Sequence, residues 1–336
     1  MEPNARESDR ASLAMASTSV KDSSKVHQMF VTGDSIDSFH LWPAETLNWT
    51  EAVWFGAWAP EHALTVYLYH WFRPAMGIYG GGCIVWIGDT AVPWEAPLFQ
   101  YDVNRPVLGR LDLRDLTLDN GFRLYVLRPG YDYEMEFRNP RATVALRFTA
   151  TTAPDLTDRR GTSDLFEGHV DQPGCYSGYV EIDGHRYPID CFGIRDRSWG
   201  PREIGDDVRM GYCHGESEQV AFLAFSRPAD TDEEIYKGYL SIDGIRHDVV
   251  RGSRRVKHVA GRLSDIAFEL EDEAGRRLAG HGTPLNRFSY TPYPKLLSHH
   301  YLMRWELPCG PVFGEEQDLW SVPLWRQSRI AAGVVR

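Results

Sequence analysis

One short segment, Ile189-Asp190-Cys191-Phe192-Gly193-Ile194-Arg195-Asp196-Arg197-Ser198-Trp199-Gly200-Pro201-Arg202, sets Asp196 among three arginines, a serine and a tryptophan. It begins as an apolar strand and ends in Gly-Pro. A strand that only packs has no use for that chemistry. Asp196 can act as a proton-transfer group, its acidity set by Arg195, Arg197 or Arg202 and by the water that Trp199 excludes. The competing reading is a buried Asp–Arg pair pinning a corner between two sheets, with Trp199 as its plug. Gly193 permits a bulge or a close backbone approach that turns the following side chains inward, and Gly200-Pro201 stops the strand.

A histidine near Asp196 would complete an acid–base pair, because imidazole titrates near neutrality. The candidates are His169, which with Asp171 precedes the Gln172-Pro173-Gly174 turn, and His214, which shares a strand face with Tyr212. Either is also an ordinary structural histidine. In the first half, Trp54 and Trp58 share one strand face and Tyr67, Tyr69 and Trp71 another. With Trp49 and Tyr79 they form either a ring-lined cavity or a filled barrel. Asn48 and Glu51 precede this strand, as polar groups at a cavity mouth or as plain loop. His70 faces away from its ring neighbours, which predicts a surface or interface position. Glu315-Glu316-Gln317-Asp318 holds three carboxylates, but strand alternation splits them and no His-x-His or Asp-x-Asp accompanies them, so no metal site is predicted. Asp318 is free to pair with a signature arginine, and His299-His300 point apart on a strand.

The elements that must position these groups are strands. Val53 to Trp58, Ala63 to Phe72, Cys83 to Ile87, Phe122 to Leu127, Tyr131 to Phe137 and Thr143 to Thr149 are β-branched and aromatic, broken by Gly, Pro, Asn or Asp. Asp119-Asn120-Gly121 and Arg128-Pro129-Gly130 read as hairpin turns. Gly178-Tyr179-Val180-Glu181-Ile182-Asp183-Gly184-His185-Arg186 recurs as Gly238-Tyr239-Leu240-Ser241-Ile242-Asp243-Gly244-Ile245-Arg246, each a strand, an Asp-Gly turn and a strand. Helical periodicity is confined to short pieces near Leu111 to Leu116 and Pro294 to His299. The class is therefore all-β, with two consecutive antiparallel barrels or sandwiches dividing near Pro154 to Thr162. That gives a disordered tail over residues 1–28, an N-terminal barrel over 29–155 and a C-terminal barrel over 156–330 that carries the signature.

Composition narrows the partners. The 336 residues carry a net charge of -11, which argues against nucleic acid, whose phosphates need clustered Lys and Arg. The basic run Arg251 to Lys257 is short and reads as a solvated strand face. Five scattered cysteines, Cys83, Cys175, Cys191, Cys213 and Cys309, form neither a disulfide framework nor a zinc pattern and suit a reducing, cytoplasmic compartment. No window approaches the roughly 20 apolar residues of a membrane span, and a homodimer is compatible with everything above. No G-x-G-x-x-G unit, P-loop, G-x-S-x-G elbow or H-E-x-x-H appears, so nucleotide-dependent redox chemistry, phosphoryl transfer and the common hydrolase mechanisms find no support.

The run Arg195-Asp196-Arg197-Ser198-Trp199-Gly200-Pro201-Arg202 resembles the RD-x-SWG-x-R signature of the AttH-like, lipocalin-related superfamily, which includes carotenoid 1,2-hydratases and fungal hydratase and Diels-Alderase relatives. His169-Val170-Asp171-Gln172-Pro173-Gly174 and Gly314-Glu315-Glu316-Gln317-Asp318 fit the same pattern, closest to its two-domain bacterial branch, over about residues 30 to 325. The resemblance implies lipocalin-like barrels and a cofactor-independent lyase that adds or removes a small molecule, such as water, formaldehyde or carbon dioxide, on an aromatic or isoprenoid substrate. In that scheme Asp196 is the acid or base, Arg195 or Arg202 its tuning partner, Trp199 the wall, and His169 or His214 the relay. Asn48, Glu51, Trp54, Tyr69, Tyr79 and Tyr212 would touch substrate. The alternatives are a non-catalytic carrier of an apolar metabolite, and a pericyclase or isomerase whose cavity merely folds its substrate.

Overall fold

The computed structural model describes residues 28–156, 158–159, 166–229, 232–259 and 261–332, so the tail expected over residues 1–28 falls almost entirely outside the described residues. Two antiparallel sheets face each other. The first contains β1 (Trp49–Ala59), β2 (Leu64–Arg73), β3 (Ile78–Ile87), β4 (Leu98–Pro106), β5 (Asp115–Thr117), β6 (Phe122–Arg128), β7 (Asp132–Arg138), β8 (Ala142–Ala150), β9 (Asp158–Arg159), β10 (Gly168–Ile182) and β11 (His185–Pro201). Its order is β4-β3-β2-β1-β11-β10-β8-β7-β6-β5, with β9 on β10, and it curls into a half-barrel.

The second contains β12 (Arg209–Glu216), β13 (Val220–Pro228), β14 (Glu233–Ile242), β15 (Ile245–Val259), β16 (Arg262–Asp272), β17 (Arg277–Pro284), β18 (Phe288–Tyr293), β19 (Leu296–Leu307) and β20 (Gly310–Ser321). Pairing of β17 with β19 closes an 8-stranded barrel, and β18 lies outside it on β19. The all-β class is thus as the pattern implied, and the lipocalin-like architecture as the resemblance implied. The division is not: β10 and β11 pair with β8 and β1, so the signature belongs to the first sheet and the chain crosses to the second only after Pro201. The polar stretch near residue 154 misled because it is a connection within one sheet.

The crossing matters because β1 is buried along all eleven residues. Val53, Phe55 and Ala57 join the first sheet's core, while Trp54 joins Tyr67, Ile194, Tyr212, Leu223 and Phe225 in a separate cluster between the sheets. A strand covered on both faces reads as one apolar run rather than an alternating one. The two copies of the sequence repeat are the β10–β11 and β14–β15 hairpins. Asp183 and Gly184 (φ 49° and 84°) and Asp243 and Gly244 (φ 52° and 76°) make the matching turns, both residues left-handed as a type I′ turn requires. Gly178 (φ 139°) and Gly238 (φ 145°) occupy the same place in each copy, where a Cβ would sit about 2 Å from the carbonyl oxygen of Ala145 or Leu223.

No helix forms at Leu111 to Leu116 or Pro294 to His299; the first enters β5 and the second enters β19. The one described helix of more than a turn is α1 (Val322–Ala331), capped by the Ser321 hydroxyl and begun by Pro323. No described helix is long and apolar enough to cross a membrane. All five cysteines are free thiols.

Candidate active site

Register brings the chemistry together. Across four adjacent strands of the first sheet, Tyr69, Trp54, Asp196 and Asp171 stand in one row. One step along, Trp71, Ala52, Ser198 and His169 form the next row. The antiparallel pairing of β1 with β2 therefore puts the tryptophans and tyrosines on the same face, not on separate ones. That face looks at the barrel across a cavity of about 140 Å³ lined by rings from both sheets, with Phe166, Met210, Phe225, Tyr290 and Tyr293 closing it.

His169 sits between the two carboxylates. Its Nε2 is 3.0 Å from Asp171 Oδ2 and 3.4 Å from Asp196 Oδ2, within ion-pair distance of both. Burial opposes the charged ring, yet the two carboxylates outweigh it and raise the histidine to about 8. Asp196 is also raised from its ordinary 3.8, which for a carboxyl favours the neutral form: burial, and the like charge of Asp171 directly opposite, lift it to about 6 against the pull of His169 and Arg202. The 23% of its side chain that stays exposed faces the cavity. Asp171 is fully buried, but His169 and the Tyr212 hydroxyl, which donates to Oδ1 at 2.7 Å, hold it ionised below the usual range.

Arg202 lines the far side of this cluster. Its guanidinium donates to Ser198 Oγ at 2.8 Å and to Tyr293 Oη at 2.7 Å, and the Tyr69 hydroxyl lies 2.7 Å from that of Tyr293. The cationic head and two phenols form a corner suited to a developing oxyanion. The donor atoms of His169, Asp171 and Asp196 lie within 4.8 Å of one another, close enough to take a divalent cation. The protonated imidazole already supplies a positive charge there.

Of the groups singled out in the sequence as candidates for the site, Asp196, His169, Arg202, Trp54, Tyr67, Tyr69 and Tyr212 line the cavity. The others do not. Arg195, Arg197 and Trp199 alternate with Asp196 and so face the opposite side of β11. Arg195 donates to Gln172 Oε1 at 2.7 Å and covers the Tyr133 ring, and Trp199 stacks on His40 at 3.8 Å. Glu51 is fully buried on that side, paired with Arg197 and accepting from Trp49 Nε1 at 3.0 Å; the corner-pinning ion pair exists, but with Glu51 in place of Asp196. Asn48 is half-exposed near Glu203, and Tyr79 donates to Asp119 at the far end of the first core. His70 is buried rather than at a surface: it stacks on Phe122 at 4.0 Å, meets the Asn120 amide at 3.1 Å, and burial lowers it to about 3.

His214 lies behind Tyr212, in a second cluster with Glu216, Glu315 and His300. Asp318 pairs with Arg209 at 2.6 Å rather than with a signature arginine. Gly193 makes no bulge; its close approach is to the Trp58 and Tyr176 rings. Sequence reading missed Ser198, Tyr293, Ser298, His300 and Gln317 at the cavity. For Ser198 the signal was present, because it lies two residues from Asp196 and so shares its strand face.

Comparison with known proteins agrees with the fold. The chain matches a crystal structure of a Nitrosomonas europaea protein provisionally assigned as an AttH, with a TM-score of 0.54 and 14% identity over 82% of this chain and 92% of that one. It matches the crystal structure of CghA with a TM-score of 0.53 and 10% identity over 88% and 97%. At such identities the likeness is one of fold. No curated protein sequence matches. The profile of the family described as Domain of unknown function (DUF7064) covers residues 34–307. The chain belongs to that family and has an AttH-like fold.

Proposed function

We propose that the protein is a cofactor-independent lyase in which His169 and Asp196 move protons on an apolar, ring-bearing substrate. The observation that carries this reading is a carboxyl group raised to about 6 on the wall of a ring-lined cavity, in contact with an imidazolium raised to about 8. Near neutrality Asp196 is chiefly a base and His169 chiefly an acid, each with its other form within reach. That pairing suits elimination. Asp196 takes a proton from carbon, the adjacent carbon–oxygen bond breaks, and His169 protonates the departing oxygen, which leaves as water. The same two groups serve carbon–carbon cleavage: Asp196 takes a hydroxyl proton, formaldehyde departs, and His169 protonates the carbon left with the electron pair. Protonating an unactivated alkene carbon asks for a much stronger acid.

The remaining residues position and stabilise. Asp171, fixed by Tyr212, holds the imidazole between the carboxylates. Arg202 with Tyr69 and Tyr293 stabilises negative charge on a conjugated substrate oxygen. A volume of about 140 Å³ is close to that of a cavity that holds benzene, roughly 150 Å³. It seats one aromatic ring, or one end of an isoprenoid.

The test is incubation with a panel of single-ring and isoprenoid β-hydroxy compounds, with products followed by mass spectrometry. The wild-type protein is expected to release water or formaldehyde, and Asp196→Asn to lose about 100-fold or more of the rate with its fold intact. Full turnover in Asp196→Asn overturns the assignment. Binding of panel members without any product identifies a carrier instead.

A further inference from the structure

A second set of buried titratable groups runs along the seam between the sheets and takes no part in the mechanism above. On β12, His214 and Glu216 alternate with residues that face the barrel interior, so both point at the first sheet, as do Glu315 on β20 and Ser298 and His300 on β19. His214 Nδ1 is 2.8 Å from Glu216 Oε1, and its Nε2 is 3.8 Å from Glu315 Oε2. Glu315 Oε1 is 2.8 Å from His300 Nδ1, and His300 Nε2 is 2.7 Å from Ser298 Oγ. Each imidazole thus bridges two oxygen groups through its two nitrogens. The ends of the row differ: Ser298 and His300 line the cavity, while Glu216 lines a separate cleft with Trp58, Glu61 and Arg304.

We infer that Glu216, His214, Glu315, His300 and Ser298 form a proton relay joining the outer cleft to the cavity. The inference rests on the acid–base reading of that cavity and adds a route by which its proton is exchanged with water. One pass balances. A proton taken up by the Glu216 carboxylate from the cleft moves to His214 Nδ1 as His214 Nε2 gives its own to Glu315 Oε2. Glu315 passes its Oε1 proton to His300 Nδ1, His300 Nε2 gives a proton to Ser298 Oγ, and the serine hydroxyl proton enters the cavity. Glu216 ends as a carboxylate, Glu315 holds its proton on Oε2 instead of Oε1 and both rings have changed tautomer; rotation of the Glu315 carboxyl and of the rings, or a reverse pass, restores the starting state.

Three observations support a relay over a plain structural network. Burial lifts Glu315 well above the carboxylate range and lowers His300 to about 3, so the acid keeps its proton and the ring stays neutral, as such a pass requires. His214 Nε2 is buried and has no hydrogen bond at rest, yet it faces Glu315 across 3.8 Å, a gap that a small shift closes. Tyr67 Oη at 2.9 Å from His300 Nδ1, and Gln317 Nε2 at 3.2 Å from Glu315 Oε2, hold the middle of the row in line without filling that gap.

The test needs no substrate. Side-chain ¹⁵N and ¹³C NMR of the full chain reports the tautomers of His214 and His300, and relaxation dispersion reports their interconversion. A relay gives exchange broadening at both rings that slows in D₂O and is lost in Glu315→Gln, which keeps the volume and hydrogen-bonding ends but has no transferable carboxyl proton. Glu216→Gln, at the cleft end, is expected to remove it as well and serves if Glu315→Gln fails to fold. One fixed tautomer at each ring in the wild type, or broadening that persists in either variant, overturns the relay. Failure of the lyase reading shows separately, as turnover surviving in Asp196→Asn.

Discussion

His169 and His300 line the same cavity, each is 3% exposed and each meets a carboxyl group within 3.0 Å, yet they rest in opposite charge states. The first is raised to about 8 and the second lowered to about 3. That gap in preference for charge is on the order of 7 kcal/mol. Burial cannot explain it, since it opposes both rings. The difference lies in the company each keeps. His169 stands between two aspartates, one fixed as an anion by a tyrosine, and the mutual attraction offsets desolvation. His300 meets a single glutamic acid that burial has already neutralised and that no described arginine or lysine pairs with, so neutrality prevails on both sides. One wall of the cavity is built to hold charge and the other to pass protons without holding it.

Substitutions should break the two walls unequally. Asp171→Ala leaves the imidazolium and Asp196 without their anchor and is expected to cost about 3–5 kcal/mol of stability by denaturant unfolding, as for other broken buried pairs. The pH dependence comes next. Asp196 is raised from 3.8 to about 6, so it favours the folded state below 3.8, and that contribution is lost as pH rises through 6. His169 is raised from 6.5 to about 8, so its contribution is present below 6.5 and lost as pH rises through 8. The contribution of these two groups is therefore expected to fall by about 3 kcal/mol or more across this window, against an opposite trend from His70 and His300, which burial lowers to about 3. Asp196→Asn should flatten the lower part of the fall and melt higher than wild type at neutral pH. Tyr212→Phe removes one hydrogen bond to a buried carboxylate and should cost about 1.5–3 kcal/mol. Smallest is Glu315→Gln. Because this side chain is already neutral, its loss of stability should stay below about 1 kcal/mol, and a loss as large as that of Asp171→Ala would erase the contrast between the walls.

The sequence showed the charged wall better than the neutral one, for physical reasons. His169 and Asp196 lie on the two adjacent strands of one hairpin, with Arg202 just past the end of the second, and their residue types announce proton chemistry. Applying the two-residue strand period to Asp196 would also have set Arg195, Arg197 and Trp199 on the opposite face and brought Ser198 in. Glu51 had no such signal, because its buried partner, Arg197, comes from a strand more than a hundred residues away. The neutral wall depends on register between β12, β20 and β19, which no local pattern encodes. His300 was legible only as one of two histidines pointing apart. Strand class followed from composition and Asp-Gly turns, whereas the crossing point did not, since a polar connection within a sheet looks like one between sheets. Helix α1 was overlooked although Ser321 and Pro323 mark its start.

The most direct test is a ¹³C NMR titration of the Asp196 side-chain carboxyl in the resting protein. A midpoint near 6, moving when His169 is replaced, is the expected result. A midpoint at or below the ordinary 3.8 would show a solvated or salt-locked carboxylate and contradict the account.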